Sequence, residues 1–586
     1  MFNLYSILLF VAPIVHYTVK VDAADTTGYT VEMRVEHAPA HFQLAMATHP
    51  EYDDRFWRFV KELKVAVPLG KAGLTRKDSA LYAIDIPGGE ATITYRIQLP
   101  AIHSYAHRPF LSSYGGLVGD IHSFFYMVGE TRLPATVHFQ LPPGWQIATG
   151  LEPTADSSTF TASSAETLMD CPVMIGRFRR WHFQVDNIGY TVAYLPVPGS
   201  PAFDTTLLLE NIKKIVVQTV HLFGGAPYRH YTFLLEDGVF GALEHANSVT
   251  LGMPATELAS HMQESYEAIA HEFSHAWNLI SIHPEEYTGL TCGPQQRSAG
   301  LWFSEGMTMF YADLLVRRAG LPCEDSTRIA HLESLIGRYY ADTGNRVFSP
   351  AAVSLAANAD PGAMGDYSAS THLQGELLGA MLDILIRNCS NGSHSFDDVM
   401  RLMYKRFSGK KGFKTQDVEQ AVDAVCDNLA VHTFFDTYLY QGKALDFDPY
   451  LRLLGLRLQL FWLPATDAQG KPTLDNRLYV WQLPGDSLFR LLISDPRSCW
   501  GRAGLHTGDA VLTMSGQTIT IRTSFYAQRN ALRMGDTVSF QIRRSGGVQM
   551  VRVGVTGYIQ VVAHLQPAMD ADNKTLALFR QWNSGW

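Results

Sequence analysis

The spacing of apolar and polar positions changes twice along the chain. From about residue 28 to 200, apolar residues alternate with polar ones or gather in short β-branched runs such as ATITYRIQL, ATVHFQL and YTVAYLPV, separated by turn stretches such as LPPGW and LPVPGSP. That pattern predicts successive strands and a β-sandwich-like domain. From about 205 to 445 the spacing becomes helical in TTLLLENIKKIVVQTVHLFG, ESYEAIAHEFSHAWNLISI, EGMTMFYADLLVRRAG and LQGELLGAMLDILIRN, with one strand-like run, HYTFLLE, between the first two. Here a mainly helical domain with a strand component is expected. Short strands return after about 450. The fold class read from this is multidomain α+β, with segments 24–204, 205–449 and 450–560 followed by a C-terminal tail, 561–586.

The first residues, MFNLYSILLFVAPIVHYTVKVDA, are mainly apolar from Leu4 to Val19 and end in Val21-Asp22-Ala23. A short apolar run before a small-residue site predicts a signal peptide over 1–23, cut near Ala23, and an exported protein, periplasmic or extracellular. The run is short for a span, which makes an uncleaved membrane anchor the less favoured alternative, and no later stretch is long enough to span, so no membrane span is expected in the mature chain.

Composition narrows the function classes. A chain of 586 residues exceeds what one core usually organises. Hydrophobic residues at 46% and charged ones at 18% exclude a largely disordered chain. The net charge of -9, with no long Lys/Arg run, speaks against nucleic acid as a partner. Six scattered cysteines without C-x-x-C spacing form neither a zinc ribbon nor a dense disulfide framework.

The chemistry is concentrated in AHEFSHAWN, where His271, Glu272 and His275 make H-E-x-x-H. Residues four apart share a helix face, so both imidazoles can meet one ion. At about 100° per residue, Ile269, Phe273, Ala276 and Ile280 fall on one side and His271, His275 and Asn278 on the other. Two imidazoles, a carboxylate and an open position make a catalytic zinc site, and Glu272 stands where a general base is needed. Zinc suits these ligands better than magnesium or calcium. In LWFSEGMTMFYADLL, Glu305 follows Ser304 as a helix-opening residue and is the expected third ligand. In GALEHANS, Glu244 follows the strand-like HYTFLLE, and a glutamate on an edge strand beside zinc can hold a substrate's free amine. The C-terminal A-G-L-x-x-G-D pattern at Ala503, Gly504, Leu505, Gly508 and Asp509, with Gly516 beyond, resembles a PDZ domain.

Taken in order, GALEHANS, HEFSHAWN, LWFSEGMTMFYADLL and the PDZ pattern resemble the glycyl aminopeptidase family of PDZ-containing zinc metallopeptidases. QLPPGWQIATGL, LQGELLGAMLDILIR and SFDDVMRLMYKRF extend the resemblance to roughly residues 90 to 556. It implies a thermolysin-like catalytic domain, one zinc on His271, His275 and Glu305, Glu272 as general base and acid, and Glu244 on the substrate amine. Peptides with a free N-terminus are the implied substrates, with small first residues such as Gly or Ala suggested by the family name.

Two departures limit the transfer. The 29 residues between His275 and Glu305 exceed the spacing in the larger aminopeptidase family that shares the GALEH-type strand. Relatives also carry Y-x-K-G where this chain has His372-Leu373-Gln374-Gly375, so either His372 or nearby Tyr367 is expected to serve the oxyanion. The PDZ segment either captures a peptide terminus or covers the catalytic domain. Beside the aminopeptidase stand two alternatives, a zinc endopeptidase and a non-catalytic secreted binding protein.

Overall fold

The computed structural model describes residues 12–585 except 50–55, 102, 295, 324, 410, 483–485 and 570–571. The chain divides into two compact units: Met1–Ser281 with Glu286–Gln296 and Ala319–Leu321, and Ile282–Glu285 with Arg297–Arg318 and Pro322–Trp586.

In the first unit the alternating runs form a seven-stranded sheet whose middle strands are Ala135–Gln140, Ile14–Lys20, Gly28–Ala38 and Gly89–Gln98. Val31, Met33, Val35, Ile93, Tyr95 and Ile97 point into a single buried core that also takes Leu44, Ile84 and Phe125 from a four-stranded sheet. This is the β-rich N-terminal region.

The expected cleavage near Ala23 conflicts with this sheet. Ile14–Lys20 pairs antiparallel with Gly28–Ala38 and parallel with Ala135–Gln140, and Tyr17 and Val19 are buried in the core. A cut near Ala23 would remove an interior strand and leave two rows of backbone groups unpaired. The apolar positions 4–11 of the expected leader lie outside the described residues. Among the described residues no helix is long and apolar enough to cross a membrane.

A second correction concerns the boundary at 204. Arg179–Val185 and Ile188–Leu195 belong to a five-stranded sheet with His230–Glu236, Ser248–Gly252 and, at its edge, Ala242–Glu244. Ile188–Leu195 runs parallel to His230–Glu236, and the helix Thr205–Phe223 makes the crossover between them. Asp204 caps that helix by accepting from the Leu207 amide, and Gly224 ends it in a left-handed conformation. Alternation alone cannot assign a strand to a sheet, so the change of partner at Arg179 is invisible in the sequence.

The second unit is helical at its centre. Leu301–Arg318 packs along Thr371–Cys389, and both are buried over most of their length. A disulfide joins Cys389 to Cys426 at the ends of the helices Thr371–Cys389 and Thr415–Val425. Toward the C-terminus, Leu456–Pro464 and Ile559–Pro567 form a two-stranded ribbon that brackets a sheet built on Leu478–Trp481, Phe489–Ile493, Ala510–Met514, Thr537–Arg544 and Gly547–Gly554. That sheet has its own core around Trp500, Phe525 and Phe540. Gly504 and Gly508 of the A-G-L-x-x-G-D pattern take φ of 93° and 95°, a region closed to most side chains.

The expected tail at 561–586 is structured. The boundary at 560 cuts the strand Ile559–Pro567, and Asn573–Ser584 is a helix. Its Trp582 lies beneath the Arg328 guanidinium at 4.4 Å, and Arg318 Nε donates to Gly585 O at 2.7 Å.

Candidate metal centre and active site

In the first unit the motif helix Tyr266–Ser274 turns Ile269, Ala270 and Phe273 inward. Phe273 meets Tyr231 edge-on at 5.0 Å and Phe233 at 5.5 Å, while Trp277 stacks on Phe223 at 5.2 Å. This aromatic packing fixes the helix, and so fixes the face that carries the histidines. The regular helix stops at Ser274, short of the Ile280 that periodicity suggested. His275 still holds helical angles, φ -62° and ψ -22°, so the four-residue spacing from His271 survives.

The two imidazoles converge. His271 Nε2 and His275 Nε2 lie 2.9 Å apart, with the rings nearly perpendicular. His275 Nδ1 lies 2.9 Å from Asn278 O, a carbonyl that can only accept, so the proton sits on Nδ1 and the Nε2 lone pair faces His271. Leu279 follows with φ 138°, a strained value for a side chain with a Cβ, at the turn where the Asn278 carbonyl meets His275 Nδ1. Nothing in the sequence marks that contact.

Carboxylates stand beside these imidazoles. One ligand atom each from Glu244, Glu272 and His275 lies within 4.8 Å of the others. Glu244 ends the edge strand Ala242–Glu244, pairs with Val249 and is buried, in the place the sequence suggested. The Tyr231 phenol is pushed well above its ordinary value, first by burial and then by the nearby Glu272 and Glu244 charges. Two converging imidazole nitrogens, one oriented by a backbone carbonyl and both beside carboxylates, form a donor set that fits zinc.

In the second unit Glu305 and His372 are together: His372 Nε2 is 3.0 Å from Glu305 Oε2. The helix carrying Glu305 opens at Leu301, so Ser304 is not its cap and Glu305 stands in the second turn, correcting the expected helix start. Ser304 is buried within the helix, and the amides of Phe303 and Ser304 are satisfied by Gly300 O. His372 is the second residue of Thr371–Cys389, whose cap Ser370 accepts from the Leu373 amide. The two helices cross at glycines: a Cβ on Gly306 would fall onto Gly375 Cα, and one on Gly375 onto Trp302 O. This close approach brings residues 305 and 372 face to face. Glycines inside two apolar helical runs were the only sequence signal for it.

Tyr367, the other oxyanion candidate, does not join this pair. Its ring packs on Phe348 at 5.7 Å and lines a separate cleft of about 590 Å³ with Asp342, Arg477 and Tyr558.

Comparison with known proteins agrees with this architecture. Residues 16–177 match the Peptidase M61 N-terminal domain, and residues 264–377 match the M61 glycyl aminopeptidase domain. No curated protein matches the chain significantly. Among solved structures, an aminopeptidase N family protein from Idiomarina loihiensis superposes with a TM-score of 0.75 at 19% identity, covering 97% of this chain and all (100%) of that one. That likeness establishes a shared fold. An M1 zinc metallopeptidase from Deinococcus radiodurans is more distant, with a TM-score of 0.47 at 14% identity over 74% of this chain and 94% of its own. Two stretches of the chain are therefore similar to the N-terminal and glycyl aminopeptidase domains of the M61 family, and the protein is a peptidase.

Proposed function

We propose that the protein is a zinc-dependent aminopeptidase, which removes the first residue of peptides with a free N-terminus. The observation that carries this reading is the convergence of His271 and His275 Nε2 at 2.9 Å beside Glu272 and Glu244. His271 and His275 are the imidazole ligands, and Glu305 supplies the third, as the motif resemblance implies. Zinc, when bound, polarises the scissile carbonyl and lowers the pKa of water towards about 7.

The chain's own groups do the rest. Glu272 takes the proton from the attacking water and returns it to the leaving amine. Glu244, on the sheet edge, holds the substrate's ammonium and so sets cleavage one residue from the end. His372 donates to the oxyanion; its contact with Glu305 supports this choice over Tyr367. The segment 478–554 is a PDZ-like module. Arg529 Nη1 already occupies the carbonyl of Leu478 on its edge strand at 2.8 Å, which favours a covering role over capture of a peptide by strand addition.

Metal analysis followed by chelation tests the reading directly. One zinc per chain is expected, with loss of aminoacyl-nitroanilide hydrolysis on chelation and its return with zinc. An N-acetylated peptide cut as fast as the free one would replace the aminopeptidase with an endopeptidase. A Glu272→Gln chain should keep zinc and lose about a hundredfold or more in kcat.

A further inference from the structure

Ala242–Glu244 is the last strand of its five-stranded sheet, so one of its sides has no neighbouring strand. The ladder to Ser248–Gly252 fixes which groups face that side. Gly252 N donates to Gly241 O at 2.8 Å and His245 N to Ser248 O at 3.0 Å, so positions 241, 243 and 245 bond inward, while the N–H and C=O of 242 and 244 point outward. Among the described residues nothing bonds the outward pair of Ala242.

This open edge is short. After Glu244 the chain turns back through residues 245–248, and before Gly241 the backbone of Phe240 is already taken by a strap, with Phe240 N donating to Ser104 O at 3.4 Å and Ala106 N to Phe240 O at 3.1 Å. Tyr105, in that strap, is 48% exposed. Its ring lies against Gly241: a Cβ there would touch Tyr105 Cδ1 at 3.4 Å and stand 3.8 Å from His107 Nδ1. His107 stacks on the Tyr105 ring, with centroids 5.6 Å apart and planes inclined by 21°. Two stacked rings therefore occupy the direction in which a side chain at 241 would point, and only a glycine leaves their near side uncovered.

A peptide whose amine meets Glu244 finds open edge only toward Gly241, and so runs antiparallel to the strand. When its second residue exchanges bonds with Ala242, its first stands opposite Leu243 and its third opposite Gly241. Opposite residues of an antiparallel pair share a face, with Cβ atoms about 4.5–5.5 Å apart. The third side chain then falls where Gly241 has none. We propose that Tyr105 and His107 form the subsite for the third residue of the substrate and select an apolar or aromatic side chain there. This rests on the aminopeptidase reading and adds to it a preference on the leaving side of the cleaved bond.

The test measures release of the first alanine from Ala-Ala-Phe, Ala-Ala-Leu, Ala-Ala-Gly and Ala-Phe-Ala amides by the zinc-loaded full chain and by its Tyr105→Ala and Tyr105→Phe variants. The peptides ending in phenylalanine and leucine should each exceed the one ending in glycine about tenfold in kcat/KM. Tyr105→Ala should lower both ratios to about threefold or less and leave the ratio of Ala-Phe-Ala to Ala-Ala-Gly as it was. Tyr105→Phe, which keeps the ring, should retain all three. Ratios near one in the parent chain, ratios unchanged by Tyr105→Ala, or an equal fall for Ala-Phe-Ala would overturn the subsite and leave the aminopeptidase reading standing. Release of alanine from none of the four peptides overturns that reading, and the subsite with it.

Discussion

The glycine crossing of Leu301–Arg318 and Thr371–Cys389 offers a controlled perturbation, because the same helix pair contains a forgiving glycine. Gly306→Ala would drive a Cβ onto the Gly375 backbone, whereas at Gly379 the new Cβ meets only the Met307 Cε and Sδ at 2.9 Å and Phe310 Cβ at 3.5 Å. Both substitutions gain about 1 kcal/mol of helix propensity. Overpacking costs about 1–3 kcal/mol, and at Gly306 backbone stands on both sides, so the upper end applies and the helices must separate. A thioether rotates away, which leaves Gly379→Ala near neutral. Gly306 is next to Glu305, so separation also draws that carboxylate from His372, now at 3.0 Å. A displacement on the order of 1 Å in a catalytic group costs about a hundredfold in rate. Denaturant unfolding followed by tryptophan fluorescence, read beside kcat/KM, checks both. Gly306→Ala should lose about 2 kcal/mol and most activity, while Gly379→Ala keeps both. Equal losses in the two variants, or an undisturbed Gly306→Ala, would refute the claim that backbone contact at this crossing sets the Glu305–His372 geometry.

Other consequences are simpler. His372→Ala should lower kcat about a hundredfold with little change in KM, while Tyr367→Phe leaves kcat within about twofold; the reverse result would move the oxyanion donor to Tyr367. A chain beginning at Ala24 lacks the interior strand Ile14–Lys20 and should be insoluble or molten on expression, which circular dichroism and dye binding report. A soluble, cooperatively folding product would mean that the strand is dispensable. Cys389→Ser opens a loop spanning 37 residues and should cost about 4 kcal/mol under oxidising conditions. The loss should vanish when the parent chain is compared in reductant.

Most of the candidate metal motif was legible because it is local. His271 and His275 share a face through the helical repeat alone, and Glu272 is adjacent by covalent connection. The edge position of Glu244 was also readable, since a short strand after HYTFLLE has few places to pair. The PDZ-like pattern led to a correct location for a small β-rich segment, although its limits were misjudged at Ile559–Pro567.

What the sequence by itself determined is which residues have the chemistry of a site and the local backbone that groups them within one turn of helix or one strand. Tertiary structure alone decided which distant partners complete them. The apolar run at 14–19 has the hydrophobicity of a leader and of a core strand alike, and only pairing with Gly28–Ala38 and Ala135–Gln140 distinguishes the two. Strands from Arg179 alternate like those before them, yet they join a different sheet. His275 is oriented by the Asn278 carbonyl where the chain turns at Leu279, and His372 reaches Glu305 because two glycines let helices touch. Periodicity reports which face of an element is buried; it carries no information about what that face is buried against.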